Sequence, residues 1–217
     1  MTVASGHTVL QVPVPALEPF VRTRAAHYDP AWVSDDAGFV HAHVTALAPF
    51  LPAAALDRPA QGRVAEIVAE TAAFTFELAR VATFPNGIIH LLPEPSEPFR
   101  ELTARLVEAF PECPPYEGRF PEVIPHLTLD AQAPGVTEQS TIRLLGDLVP
   151  VQCRAERLDL AWYEADGCHV IRSWALGATV QETADTASGF GSVGAGGARS
   201  IVKRGRKNWT SGPMETA

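Results

Sequence analysis

Two short apolar runs of this chain carry the same polar pair. VHAHVTALAPF contains His43-Val44-Thr45, and EVIPHLTLD contains His126-Leu127-Thr128, 83 residues further on. Each run reads as a β-strand, in which successive side chains point to opposite faces. His43 and Thr45 then share one face with Val44 behind them, and His126 and Thr128 share one face with Leu127 behind them. A fold that buries both apolar faces is left with two matched His/Thr pairs, which can converge in one cleft.

That arrangement has a definite chemistry. Histidine has an unperturbed pKa of about 6.5, so near neutral pH one copy can be neutral and the other protonated. One ring can take a proton while the other gives one. A threonine hydroxyl two residues along the strand can donate to a phosphate oxygen lying between the rings. A phosphodiester held by a base, an acid and two hydroxyls can be cleaved without a metal.

The rest of the chain repeats one order of elements. Thr8 to Val14 reads as a first strand, and Pro15 to about His27 as a helix after a proline start. The strand Phe39 to Leu47 holds the first triplet. A helix from about Asp57 to Glu70, capped by Asp57, follows from the spacing of Leu56, Ala60, Val64, Ile67 and Val68. Phe74 to Phe84 and Ile88 to Leu92 form a hairpin around Asn86-Gly87. Ser96 opens a helix carrying Phe99, Leu102, Leu106 and Phe110, which Pro111 stops. After the second triplet come a helix over Val136 to Leu148, with Ile142, Leu145 and Leu148 inward, and a hairpin of Cys153 to Tyr163 with Cys168 to Leu176. Motif strand, helix and hairpin thus occur twice, as in two similar lobes facing each other across a cleft.

The two triplets, with their surroundings AHVTALAPFLP and RFPEVIPHLTL, resemble the paired H-x-T/S motifs of the 2H phosphoesterase superfamily and its 2′-5′ RNA ligase-like family. The resemblance runs from about Val9 to about Gly177. It implies an α+β fold: a bilobal, pseudo-twofold architecture of two antiparallel sheets lining a central cleft, with helices outside. It implies a metal-independent enzyme that opens a 2′,3′-cyclic phosphate on a nucleotide or RNA end by two-histidine acid-base catalysis, with weak reverse ligation and no cofactor. His43 and His126 would be the acid-base pair, in an order the sequence leaves open, and Thr45 and Thr128 would hold the phosphate oxygens.

Composition narrows the partners. Residues 1 to 180 carry twelve Arg and no Lys against 22 carboxylates, a net charge of −10. Such a body repels a long polyanion, which favours a small phosphate ester or a strand end over duplex nucleic acid. Cys113, Cys153 and Cys168 are odd in number and lack zinc-site spacing, as expected of reduced thiols in a cytoplasmic protein. No apolar run approaches the length of a membrane span, and a monomer is the expectation. From about Gln181 the chain turns rich in Gly, Ser, Ala and Thr and ends in a basic group around Lys203 to Lys207. This predicts one domain over 1 to 180 and a flexible tail over 181 to 217.

Two other readings remain open. His41-Ala42-His43 has the spacing of a metal-binding pair, with Asp130 and His90 as further ligands, so a metal-dependent hydrolase is one alternative. A non-catalytic nucleotide or RNA-end binding module using the same cleft is the other. His41 shares the side of His43 and is a candidate substrate contact. Tyr116 and Arg119, ahead of the second triplet, would supply base stacking and phosphate charge. Phe50, Phe84 and Tyr163 either line a nucleobase pocket or belong to the core. His90, between Ile88 and Leu92, reads as a buried histidine.

Overall fold

The computed structural model of the chain describes residues 6–178. The tail expected from residue 181 lies outside the described residues. The strands are β1 (His7–Pro13), β2 (His43–Leu47), β3 (Phe74–Thr83), β4 (Ile88–Glu94), β5 (Leu127–Ala131), β6 (Val151–Ala155), β7 (Arg157–Tyr163) and β8 (His169–Ala175). The helices are α1 (Glu18–Tyr28), α2 (Arg58–Glu70), α3 (Glu97–Ala109) and α4 (Glu138–Leu145). Among the described residues, no helix is long and apolar enough to cross a membrane.

Two sheets are expected from the sequence repeat; the structure joins all eight strands into one, in the order β6-β3-β4-β5-β2-β1-β7-β8. The pairs registered between neighbouring strands are antiparallel. The join is at the motif strands, where Val44 of β2 stands opposite Leu127 of β5. About that join the sheet has a pseudo-twofold order: β1 flanks β2 as β4 flanks β5, and the outer pairs follow. The stretch expected as one strand, Cys153 to Tyr163, is two. β6 pairs with β3 and β7 pairs with β1, so the chain crosses from one edge region of the sheet to the other at Glu156.

Strand alternation sorts the sheet into faces. Leu10, Val12, Val44, Leu127, Leu129, Leu158 and Leu160 are buried in one core with Val64 and Val68 of α2 and Phe99, Leu102 and Leu106 of α3. Asp57 caps α2, accepting from the Ala60 N–H at 2.8 Å. Thr103 of α3 donates to the Ala46 carbonyl at 2.9 Å and so locks α3 against the first motif strand. Asp130, fully buried, accepts from Arg24 at 3.0 Å, from Tyr28, and from Thr141 at 3.1 Å, tying α1 and α4 to the second motif strand. A buried carboxylate is stable only with such partners.

The last helix corrects the sequence reading. α4 ends at Leu145 and a single 3₁₀ turn carries the chain to Leu148. Leu145 is 2% exposed, whereas Ile142 and Leu148 are each 44% exposed. Thr141, drawn to Asp130, takes the inward position and rotates Ile142 out. Leu127→Ala, at the join of the sheet, should therefore cost about 2–5 kcal/mol in urea unfolding, and Ile142→Ala should stay within about 0.5 kcal/mol of the parent.

Candidate active site

The register of β2 against β5 sets the geometry. With Val44 opposite Leu127 on antiparallel strands, His43 falls opposite Thr128 and Thr45 opposite His126, all on the face away from the Val44–Leu127 side. The four residues form a square in which the histidines lie on one diagonal and the threonines on the other. β2 begins at His43, and Phe39 to Ala42, expected in the strand, precede it; His126 likewise sits one residue ahead of β5.

Both rings are oriented by the main chain in the same way. His43 Nδ1 donates to the His41 carbonyl at 2.7 Å, and His126 Nδ1 donates to the Ile124 carbonyl at 2.7 Å. With its Nδ1 proton committed to a carbonyl, a neutral imidazole keeps its lone pair on Nε2. Among the described residues no group hydrogen-bonds either Nε2. Burial pushes both rings down to about 4. The carbonyl acceptors oppose that shift. Charge on His41 and on His126 disfavours charge on His43, while the Glu18 carboxylate favours it. On the other side, charge on His90 disfavours charge on His126. The effect of charge on His126 on the His43 ring reflects how close the two come. At neutral pH both rings of the free protein are neutral acceptors, and an arriving phosphate anion would favour a proton on one of them.

His41 lies in the bend before β2 and is buried. Its Nδ1 meets Glu18 at 2.6 Å and its Nε2 accepts from the Ser34 N–H at 3.1 Å. Both nitrogens are taken, and what His41 gives the site is the carbonyl that orients His43. Among the described residues no group of three or more His, Cys, Asp and Glu is placed to hold a metal; of the other candidate ligands, Asp130 sits in the clamp of α1 and α4 and His90 packs against His126. Tyr116 does reach the square: its phenol and the Thr45 hydroxyl share a hydrogen bond, and burial pushes the phenol up to about 12, so it stays a donor. Two left-handed residues, Tyr116 (φ 50°) and Glu117 (φ 58°), shape the turn that carries it, a conformation that costs energy outside glycine. Arg119 is exposed and pairs with Glu117 at 2.7 Å.

Other side chains support the square; Tyr163 and Phe84 were candidates in the sequence, and Gln11 was not. Tyr163 lies under His43, its hydroxyl 3.4 Å from Nδ1 and donating to Gln11 Oε1 at 2.6 Å. Gln11 in turn donates to the Val40 carbonyl at 3.2 Å. A lone glutamine inside the apolar run VLQVPV was the available signal. Phe84 meets His126 edge-on, with ring centroids 4.9 Å apart. Phe50 packs against Phe110 in the core instead of lining the site.

Comparisons with known proteins identify a family and a shared fold. A family model described as the 2′-5′ RNA ligase superfamily matches residues 12–167. The crystal structure of TT0787 of Thermus thermophilus is 20% identical, with a TM-score of 0.52, over 79% of this chain and 98% of that one. E. coli LigT complexed with 3′-AMP is 16% identical, with a TM-score of 0.48, over 78% of this chain and 97% of that one. E. coli LigT complexed with NADP+ is also 16% identical, with a TM-score of 0.48, over 79% and 98%. No curated protein sequence matches. The likeness to TT0787 shows a shared mixed α/β fold.

The depressed histidines link stability to pH. In the unfolded chain each titrates near 6.5; folded, His43 and His126 titrate at about 4. Between those values unfolding takes up protons, so stability is full above pH 6.5 and falls as pH drops toward 4. Thermal unfolding should show this fall, and a His43→Gln/His126→Gln double variant should show a shallower one.

Proposed function

The chain belongs to the 2′-5′ RNA ligase superfamily, which the match over residues 12–167 shows, and from that premise we propose that it is a phosphoesterase opening a 2′,3′-cyclic phosphate on a nucleotide or an RNA end, without a metal. The observation that carries the reading is the diagonal placement of His43 and His126 across the β2–β5 join, each with Nδ1 fixed on a carbonyl. The 3′-AMP, ATP and NADP+ named with E. coli LigT are nucleotides, as the proposed substrate is.

The reaction needs one proton removed and one supplied. Water attacks phosphorus, His126 Nε2 takes the proton of that water, and the bond from phosphorus to one ribose oxygen breaks. His43, protonated once the phosphate anion is bound, gives its Nε2 proton to the leaving oxygen. The product is a monophosphate with a free neighbouring hydroxyl. This order of roles is part of the proposal: the Glu18 carboxylate favours a proton on His43, against the larger opposing effects of charge on His41 and on His126, and charge on His90 disfavours a proton on His126. Thr45 and Thr128 donate to the non-bridging oxygens, whose charge grows in the transition state. With a terminal ribose hydroxyl in place of water the same groups join two ends in reverse.

With nucleoside 2′,3′-cyclic phosphates in EDTA, the parent should release monophosphate, and His43→Ala and His126→Ala should each lose about 10²–10⁴-fold in kcat. Thr128→Ala should lose about tenfold, the worth of one hydrogen bond. Binding without turnover, or turnover only after divalent metal is restored, would overturn the reading. The rate should be bell-shaped in pH. The basic limb of kcat should lie above that of kcat/KM, because substrate charge raises His43 only in the complex.

A further inference from the structure

His90 is a histidine that the chemistry above leaves unused. It stands in β4 opposite Thr128, as Gln11 in the other half stands opposite Thr45. The two equivalents are satisfied differently. Gln11 uses both ends of its amide. Among the described residues His90 has one hydrogen bond, Nδ1 to the Ile88 carbonyl at 3.2 Å, and its buried Nε2 has no partner. A buried polar atom left bare is costly, and such atoms point to a local function.

The ring of His90 is 1% exposed and packs between two others. It stacks on Phe84 with centroids 3.8 Å apart and planes 17° apart, and meets His126 edge-on at 5.4 Å and 70°. Phe84 meets His126 at 88°. His126 is thus held nearly perpendicular to a stacked pair, one ring of which can carry charge. On His43 the corresponding support is Tyr163, whose hydroxyl is a dipole with no such charge.

Resting on the two-histidine reading, we propose that His90 is a positioning residue: stacked on Phe84, it fixes the angle of His126 and sets a chargeable ring against it, which adds to burial in keeping His126 free to receive a proton as the pH falls. Burial holds the His90 ring below the usual histidine range, with Arg80 of β3 acting in the same sense; the Ile88 carbonyl and Glu138 of α4, held by Thr83 at 2.6 Å, favour its protonation. Two like charges with centroids 5.4 Å apart disfavour each other by about half a pH unit even at the dielectric of water, and by more inside protein.

The test is an NMR titration of the histidine side chains in the unliganded full chain, for the parent, His90→Gln and His90→Phe, beside pH–rate profiles on a nucleoside 2′,3′-cyclic phosphate. Both variants should raise the His126 midpoint by about half a unit or more, leave His43 in place, and carry the acid limb of kcat/KM upward with His126. His90→Phe keeps a ring against Phe84, and His90→Gln covers the case in which that variant does not fold. An unchanged His126 midpoint in a folded variant overturns the proposal whatever the activity. A shifted His126 in a protein that turns over no cyclic phosphate supports the positioning role and removes the phosphoesterase reading instead.

Discussion

The pairing of β2 with β5 is the constraint on which the rest depends. Val44 opposite Leu127 joins two half-sheets whose other strands pair within their own halves, and the chain passes from one half to the other at Glu156, between β6 and β7. Antiparallel pairing then fixes which side chains face one another, because a one-residue slip of either strand would send that strand's histidine to the apolar face. The buried leucines and valines on that face hold the register, and α3 reinforces it through Thr103 and the Ala46 carbonyl.

Burial does a second thing at the join. It removes water from His43 and His126 until both are neutral at ordinary pH, and the main-chain carbonyls two residues back decide which nitrogen keeps the proton. The result is a pair of matched acceptors waiting for an anion. Their surroundings differ: Glu18 and the Tyr163–Gln11 pair stand near His43, while Phe84 and His90 stand near His126. Pseudo-symmetry supplies two similarly oriented rings with unequal neighbours.

Much of this was legible in the sequence because it rests on local patterns. The triplets, the hairpin at Asn86-Gly87, the cap at Asp57 and the periodicity of α2 and α3 are all set within a few residues. What was not legible depends on distant partners. A single sheet in place of two follows from one cross-strand pairing, and the split at Glu156 from β6 finding β3. The outward turn of Ile142 follows from Thr141 meeting Asp130 eleven residues away in sequence. His41 looked like a cleft residue by strand parity, yet it lies ahead of the strand, with Glu18 and Ser34 occupying its ring. Gln11 and Glu18 act through contacts 29 and 23 residues off, beyond any periodicity.

The central claim is that His43 and His126 address one phosphorus atom between them. A crystal structure with a bound nucleoside 2′-monophosphate, the product of opening a cyclic phosphate, addresses it most directly. The expected result is the phosphate between the two Nε2 atoms, each within hydrogen-bond distance, with the Thr45 and Thr128 hydroxyls on its remaining oxygens. A phosphate seated elsewhere, or one that touches a single histidine while the other ring stays dry and unmoved, would contradict it.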